Sequence, residues 1–332
     1  MEFVRCNLCG SNDSVLLYPS TVGPGSNVED HSAFNCTSTG YGRHYAIVKC
    51  NQCGLIYANP RKDSKEVLGK YVEVEDPLYF EERQGRVMTF EKHLRPLHTL
   101  TGPPCGRALL DIGAHIGVFV EVANKAGWRA IGIEPSRWSV EIARQSGIEL
   151  IQGTLASSNL PDNHFDVVTL WDVIEHLSDP RAELEHVFRL LKPGGWVVIH
   201  TMDIESLFAR LMGSRWPWLM EMHLYYFSVR TARSMLESIQ FQWRLSQPQG
   251  RYLRLGYLVS RIKPYSYKLM TTLDKLIKAF HLEHMPVAIN LGDLITAYAQ
   301  KPVKQPVDGA MSYGKEPPVD EPDFHQEKSS GS

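Results

Sequence analysis

The chain has 332 residues, of which 43% are hydrophobic and 22% charged, and its formal net charge is −2. This near-neutral balance argues against a nucleic-acid binder that works through bulk charge. Its apolar runs are shorter than the roughly 18 residues that cross a bilayer, and residues 1–6 lack the apolar core of a signal peptide. The predicted location is therefore the cytoplasm, where six cysteines serve as metal ligands or free thiols rather than as disulfides.

Residues 1–62 are predicted to form a zinc-binding module. Two Cys-x-x-Cys-Gly knuckles supply its ligands, which are Cys6, Cys9, Cys50 and Cys53. Each knuckle is a tight turn that aims two thiolates at one point, and four thiolates at about 2.3 Å make a closed tetrahedral zinc site of the structural type. A lost site and a redox Cys-x-x-Cys pair are the alternatives.

Residues 63–104 are predicted to be mainly helical. Asp63-Ser64-Lys65-Glu66 has the pattern of a capping box, so a helix begins at residue 64. The helical pattern continues to about residue 100, with a break near Asp76-Pro77.

Residues 105–302 alternate between strand and helix patterns, which predicts a parallel α/β sheet with helices on both faces. The predicted strands are 107–112, 129–133, 148–152, 165–171, 195–201 and 241–247, and the predicted helices are 117–126, 136–146, 180–192 and 229–239. A last strand falls within 290–300, and about 40 residues before it (251–290) form an insertion. Residues 303–332 are rich in Pro, Glu, Asp, Lys, Ser and Gly and predict a disordered tail.

A glycine turn follows the first strand of this alternation. The segment Leu109–Gly117 reads Leu-Leu-Asp-Ile-Gly-Ala-His-Ile-Gly, a buried strand that turns tightly into a helix. The next strand ends at Glu134, where a carboxylate accepts hydrogen bonds from the ribose hydroxyls of a bound nucleoside. Ligands of such sheets bind outside the carboxyl ends of the strands, which here are Asp111, Glu134, Gly153-Thr154, Asp172 and Thr201-Met202-Asp203.

These motifs resemble those of class I S-adenosylmethionine (SAM) methyltransferases, although His115 replaces the usual middle glycine of the turn. Phe165-Asp-Val-Val, Glu175-His-Leu and Leu190-Leu-Lys-Pro-Gly-Gly continue the resemblance, which is closest to small-molecule and sugar-type enzymes with zinc knuckles. It implies a seven-stranded Rossmann-like sheet with an antiparallel last strand, and residues 63–104 as a helical cap over the cofactor. It also implies that SAM contacts Asp111, Gly113, His115, Gly117, Glu134, Pro135, Thr154 and Asp172.

The acceptor side offers Asp172, Glu175, His176 and His223 as titratable groups. In one interpretation Glu175 and His176 only cap and orient the helix that follows. In a second, His176 or His223 is the general base for an acceptor hydroxyl, with His223 favoured because it lies in an aromatic segment. In a third, all four side chains hold a divalent ion, as in some RNA 2′-hydroxyl and quinone-precursor methyltransferases that this set resembles.

The predicted function is SAM-dependent O-methylation of a small polar acceptor such as a sugar, nucleotide sugar or glycan precursor. The alternatives are a sugar C-methyltransferase, a metal-dependent RNA 2′-O-methyltransferase and a non-catalytic zinc-binding scaffold. The insertion 251–290 mixes basic and aromatic residues with apolar ones at helical spacing. It predicts an amphipathic helix that packs on the domain, meets a phosphate-bearing acceptor or contacts a membrane surface through residues 251–285. The oligomeric state is left open.

Overall fold

The computed structural model describes residues 1–23, 31–263 and 266–303, and the predicted tail, apart from residue 303, lies outside them. Its strands are β1 (Ser14–Tyr18), β2 (Ile47–Cys50), β3 (Ile56–Ala58), β4 (Ala108–Ile112), β5 (Arg129–Glu134), β6 (Leu150–Gln152), β7 (Phe165–Trp171), β8 (Leu191–Met202), β9 (Tyr225–Tyr226), β10 (Gln242–Pro248), β11 (Arg251–Arg254), β12 (Pro286–Ile289) and β13 (Leu294–Gln300). Its α-helices are α1 (Ser64–Val72), α2 (Pro77–Glu81), α3 (Arg83–Thr101), α4 (Val118–Lys125), α5 (Arg137–Gln145), α6 (Pro180–Leu190), α7 (Leu207–Met212), α8 (Val229–Ser238), α9 (Leu255–Ile262) and α10 (Tyr267–Ala279).

The central sheet has seven strands in the order β10-β13-β8-β7-β4-β5-β6. Strands β4 to β8 pair in parallel, whereas β13 runs antiparallel to both β8 and β10. Alternate residues of one strand face opposite sides of the sheet. Leu110 and Val168 accordingly belong to one apolar core, and Leu109 and Val167 to another. The predicted α/β fold with an antiparallel last strand is confirmed.

The N-terminal module is built on a second sheet of four strands, in the order β1-β2-β3-β9. Its fourth strand, β9, comes from far along the chain, with Tyr57 paired to Tyr225 and Ile56 to Tyr226. Residues 1–302 form one compact unit. The segment around residue 225 is therefore held against the cysteine-bearing module, although the sequence divides the two at residue 62.

The cap helices follow the predicted pattern. Asp63 accepts a hydrogen bond from the amide of Lys65, and Asp76 accepts one from the amide of Tyr79, so each aspartate caps the helix that follows it. The Ser136 hydroxyl donates to the carbonyl of Val74 at 2.8 Å. This bond ties the link between α1 and α2 to the segment that follows β5.

Two predicted segments differ from the structure. The predicted helix 180–192 ends at Leu190, and β8 begins at Leu191, which pairs with Phe165 of β7. The Lys301 backbone also bonds to Gly194 and Gly195. The insertion is more than one helix, because β11 and β12 pair as a ribbon that carries α9 and α10 between them. Within the described residues, no helix is long and apolar enough to span a membrane.

Candidate active site

The glycine turn after β4 has a left-handed backbone conformation at Gly113 and at His115. Gly113 has φ +70°, and a Cβ added there would lie 2.5 Å from Cγ2 of Val173. Glycine is therefore required both for the left-handed conformation and for the close approach. His115 also has a positive φ of 50°, in a region that histidine tolerates better than most residues.

Glu134 ties this turn to the end of β5. Its Oε2 accepts the backbone amide of His115 and its Oε1 accepts that of Ser136, each at 2.8 Å. Burial raises the pKa of Glu134 to about 7, although both amide bonds oppose the shift. Each carboxylate oxygen keeps a second lone pair, so Glu134 retains the acceptor capacity that the two hydroxyls of a ribose need.

Asp111 lies deeper in the sheet. It is 2% exposed, and its Oδ1 accepts a hydrogen bond from the Thr169 hydroxyl at 2.6 Å. Burial raises the pKa of Asp111 to about 8. This bond joins β4 to β7, and the predicted contact of Asp111 with SAM stays a prediction.

A stack of three side chains covers the glycine turn, and sequence reasoning did not identify two of its members. The ring of Tyr79, on α2, stacks on the His115 ring with their centroids 3.5 Å apart. The guanidinium of Arg86, on α3, lies 3.4 Å from the centroid of the Tyr79 ring. Both Tyr79 and Arg86 come from residues 63–104, which the resemblance implies to be a helical cap, and this implication was the only signal for them in the sequence. The stack brings the cap into direct contact with the turn.

Asp172, at the end of β7, has φ 55° and faces a cavity under α3 and β11. Its Oδ1 lies 3.1 Å from Arg251 Nη2 and 3.8 Å from His200 Nε2. Burial alone would raise the pKa of Asp172, but Arg251, His200 and Arg86 outweigh it and hold the pKa at about 2. The cavity encloses about 30 Å³, room for little more than water and well below the roughly 300 Å³ of a typical ligand pocket.

Polar atoms around this region have no partner among the described residues. Arg86 Nε, His93 Nδ1, His115 Nε2 and Trp171 Nε1 are buried without a hydrogen bond. Three of these side chains, Arg86, His93 and Trp171, line the cavity beside Asp172. Because buried polar groups in proteins are nearly always paired, these atoms are suited to bind water or a polar group of a ligand at this position.

Glu175, His176 and His223 form a separate cluster, in which their ligand atoms lie within 4.8 Å of one another. Nδ1 of His176 is 3.0 Å from the Met222 carbonyl oxygen, and Nδ1 of His223 is 2.6 Å from that of Trp218. His176 Nδ1 also lies 2.9 Å from the Tyr71 hydroxyl oxygen. Because a carbonyl oxygen only accepts, the two carbonyl contacts favour a hydrogen on each Nδ1 and a lone pair on each Nε2. Asp172 is not among the three converging groups, although the sequence predicted a shared pocket.

Burial sets the protonation of this cluster. It lowers the pKa of His223 to about 3 and raises that of Glu175 to about 8. Oε2 of Glu175 accepts a hydrogen bond from the Thr201 hydroxyl at 2.9 Å. Both histidines are therefore neutral near pH 7, in the form that accepts a proton or binds a metal.

The remaining predicted cofactor residues lie along the same edge. Gly117 caps α4 with φ 75°, and Pro135 is half-buried between Glu134 and Ser136. Thr154, after β6, donates its backbone amide to the Ser157 hydroxyl at 2.9 Å. These positions surround the carboxyl ends of β4, β5 and β6 and are compatible with the predicted roles.

The four predicted zinc ligands converge. Their sulfur atoms lie within 4.8 Å of one another, with Cys6 Sγ 3.4 Å from Cys53 Sγ and Cys9 Sγ 3.5 Å from Cys50 Sγ. Tetrahedral zinc with bonds of about 2.3 Å separates sulfurs by about 3.8 Å. The donor set therefore fits a structural zinc ion after small adjustments.

Curated relatives match the central part of the chain. An enzyme named ubiquinone biosynthesis O-methyltransferase from Bordetella avium is 30% identical over 131 residues, which are 34% of this chain and 54% of the relative. The enzyme of that name from Methylococcus capsulatus is 35% identical over 114 residues, 32% of this chain and 48% of the relative. The chain thus spans about half the length of the curated relatives that it matches.

Solved structures add two similar proteins. The YcgJ protein of Bacillus subtilis has 21% identity and a TM-score of 0.46, covering 64% of this chain and 98% of its own. A Thermotoga maritima SAM-dependent methyltransferase has 21% identity and a TM-score of 0.45, covering 68% of this chain and 93% of its own. A sequence profile described as "Methyltransferase domain" matches residues 79–245, which is half of the chain. The chain therefore belongs to this family and carries a class I SAM-dependent methyltransferase domain.

Proposed function

We propose that the protein transfers the methyl group of SAM to a hydroxyl oxygen of a small acceptor. SAM supplies a methyl group activated by its sulfonium, so the protein mainly has to position the reactants and manage the acceptor proton. The name of the curated relatives favours an oxygen acceptor but lends no support to a sugar.

The cofactor side rests on Glu134 and the glycine turn. We assign the ribose hydroxyls to Glu134, because its oxygens are already fixed by the amides of His115 and Ser136 and retain lone pairs. His115 Nδ1 accepts the amide of Ile116, so Nε2 carries its hydrogen and is an unpaired buried donor. That donor suits an acceptor atom of the cofactor, such as its carboxylate.

The observation that carries the acceptor side is the pair of unprotonated Nε2 atoms on His176 and His223. A base for a hydroxyl needs a lone pair held in place, and here two backbone carbonyls hold both rings. Removal of such a base costs about 10²- to 10⁴-fold in rate. Asp172, which is paired with Arg251, then has a positioning role in this proposal.

A second candidate is a divalent ion held by Glu175, His176 and His223. Histidine ligands of metals commonly donate their other ring N–H to a carbonyl or carboxylate, as both histidines do here. An ion at this position would lower the pKa of a bound hydroxyl. We likewise propose a structural zinc ion at the four cysteines.

The contacts of the insertion do not favour a phosphate group in the cavity. Arg251 is already paired with Asp172, and Arg254 with Glu82 and Glu81. These pairs neutralise the two basic side chains of β11 that face the cap.

The test compares the wild type with His176→Ala, His223→Ala and the exposed control His164→Ala. We expect His223→Ala to lower the turnover of a catechol probe at least 100-fold, with the dissociation constant of S-adenosylhomocysteine unchanged by calorimetry. A nucleotide-sugar probe and NMR of the product separate O-methyl from C-methyl transfer. Normal turnover in both histidine variants would remove the proposed base.

A metal titration decides between the two candidates. After brief chelation with zinc content monitored, a base predicts unchanged turnover, whereas an ion predicts loss of activity that Mg²⁺ or Mn²⁺ restores. Absence of S-adenosylhomocysteine binding to the wild type would instead favour the scaffold alternative. Transfer to an RNA 2′-hydroxyl with no turnover of small acceptors would favour the RNA alternative.

A further inference from the structure

Helix α10 exposes an apolar stripe that the fold does not cover. Leu269, Leu273, Leu276 and Phe280 are 62%, 36%, 51% and 70% exposed. They are spaced by four, three and four residues, so at about 100° per residue they fall within roughly 60° of arc. The same helix buries a different face, where Met270 and Ile277 pack with Val259 of α9. Packing on α9 therefore does not explain the exposed stripe.

Basic side chains follow the other edge of this stripe. Lys268 and Lys275 are exposed and lie about 80° to 100° around the helix from Leu276, the nearest member of the stripe, on the side away from Met270. The segment 255–285 contains five basic and two acidic residues, although the whole chain has a net charge of −2. An apolar stripe bordered by lysines is the pattern of a helix that lies in a membrane interface.

We propose that α10 docks this protein onto an anionic lipid surface, with the leucine stripe inserted at the headgroup level and Lys268 and Lys275 beside acidic headgroups. A second copy of the chain fits less well. Four side chains offer roughly 400 Å² of apolar surface, about half of what each partner contributes to a standard interface, and a symmetric copy would bring like charges together.

The docking helix is linked to the active site through α9 and β11. Strand β11 carries Arg251, which pairs with Asp172, and α9 begins at the next residue after β11. Arg261 of α9 donates to the carbonyl oxygen of Ser38 at 2.6 Å. These contacts fix β11 and α9 to the body of the protein, and α10 packs on α9. The proposal goes beyond methyl transfer and does not depend on it.

The test is flotation of the full chain with vesicles of phosphatidylcholine, with and without 30% phosphatidylglycerol. We expect binding to the anionic vesicles only, weakened by 0.5 M NaCl. Lys268→Ala and Lys275→Ala should each weaken binding about five-fold, since a lysine near the surface contributes about 1 kcal/mol. Leu276→Ser combined with Phe280→Ser should weaken it at least ten-fold.

The matched control is Leu207→Ser with Leu211→Ser on α7, whose side chains are 74% and 76% exposed. These changes remove as much exposed apolar surface without touching α10, so binding should stay within two-fold of the wild type. Equal losses in both double variants, or no binding of the wild type to anionic vesicles, would overturn the proposal. So would a dimer in analytical ultracentrifugation that only the α10 variant dissociates. S-adenosylhomocysteine binding, measured without vesicles, shows separately that each variant is folded and that the cofactor site is intact.

Discussion

Glu134→Gln tests the cofactor site most directly, because the side chain keeps its size and loses its charge. The native carboxylate accepts two amides at 2.8 Å, from His115 and Ser136. The Gln side chain keeps one acceptor oxygen, and its NH₂ group faces the other amide as a second donor. A hydrogen bond to a charged group contributes about 1.5–3 kcal/mol, so loss of one ribose contact should weaken S-adenosylhomocysteine binding about 10- to 150-fold.

The assay separates loss of binding from loss of the turn. Calorimetry gives the dissociation constant, and thermal unfolding without ligand gives the stability of each variant. Glu141→Gln on α5 is the control, because that side chain is 46% exposed and its partners among the described residues belong to its own helix. A lower melting temperature in Glu134→Gln with a dissociation constant within two-fold of the wild type would refute the reasoning, because Glu134 would then serve only the turn.

Three further predictions follow from the same geometry. Gly113→Ala should abolish detectable S-adenosylhomocysteine binding by calorimetry, because the new Cβ lies 2.5 Å from Cγ2 of Val173. Adding Val173→Ala to that variant should restore part of the binding. Cys53→Ser should reduce bound zinc from one equivalent to none in elemental analysis and lower the melting temperature, whereas a wild type free of zinc would contradict the site. Burial raises the pKa of Glu175 from 4.5 to about 8, so the folded state holds a proton that the unfolded state releases. The free energy of unfolding should therefore fall as the pH rises from about 4.5 to about 8 and level off above that, less steeply in Glu175→Gln. An unchanged slope in that variant would show that other groups set it.

The central sheet was predictable because its signals are local. Each strand of the alternation is a short apolar run bounded by turn residues, and the antiparallel β13 follows the same rule. The structure of the insertion was not predictable, because β11 and β12 pair across 38 positions, with Arg251 opposite Ile289. A ribbon of this kind depends on a long-range register that periodicity does not encode.

The candidate site also contains some residues that the sequence predicts and others that it does not. The turn and Glu134 could be proposed from the sequence because strand ends, glycines and acids occur at characteristic spacings. Tyr79 and Arg251 could not, since their contacts to His115 and Asp172 join distant segments whose packing decides which side chains meet. For the same reason Asp172 was grouped with Glu175 by spacing, whereas the positive φ of Asp172 turns its carboxylate to Arg251.

His115 shows how a turn built for glycine accommodates a bulky residue. A non-glycine residue in the left-handed region costs roughly 1–2 kcal/mol. Its ring gains a stacked partner in Tyr79, and an aromatic pair contributes about 0.5–1.5 kcal/mol beyond burial. The Ile116 amide also bonds to Nδ1, and the His115 amide bonds to Glu134. These contacts offset the strain, so the departure from the usual glycine pattern is compatible with a formed cofactor site. The cap and the turn are therefore coupled, because His115, which replaces the glycine, is stabilised by the Tyr79 ring stacked on it.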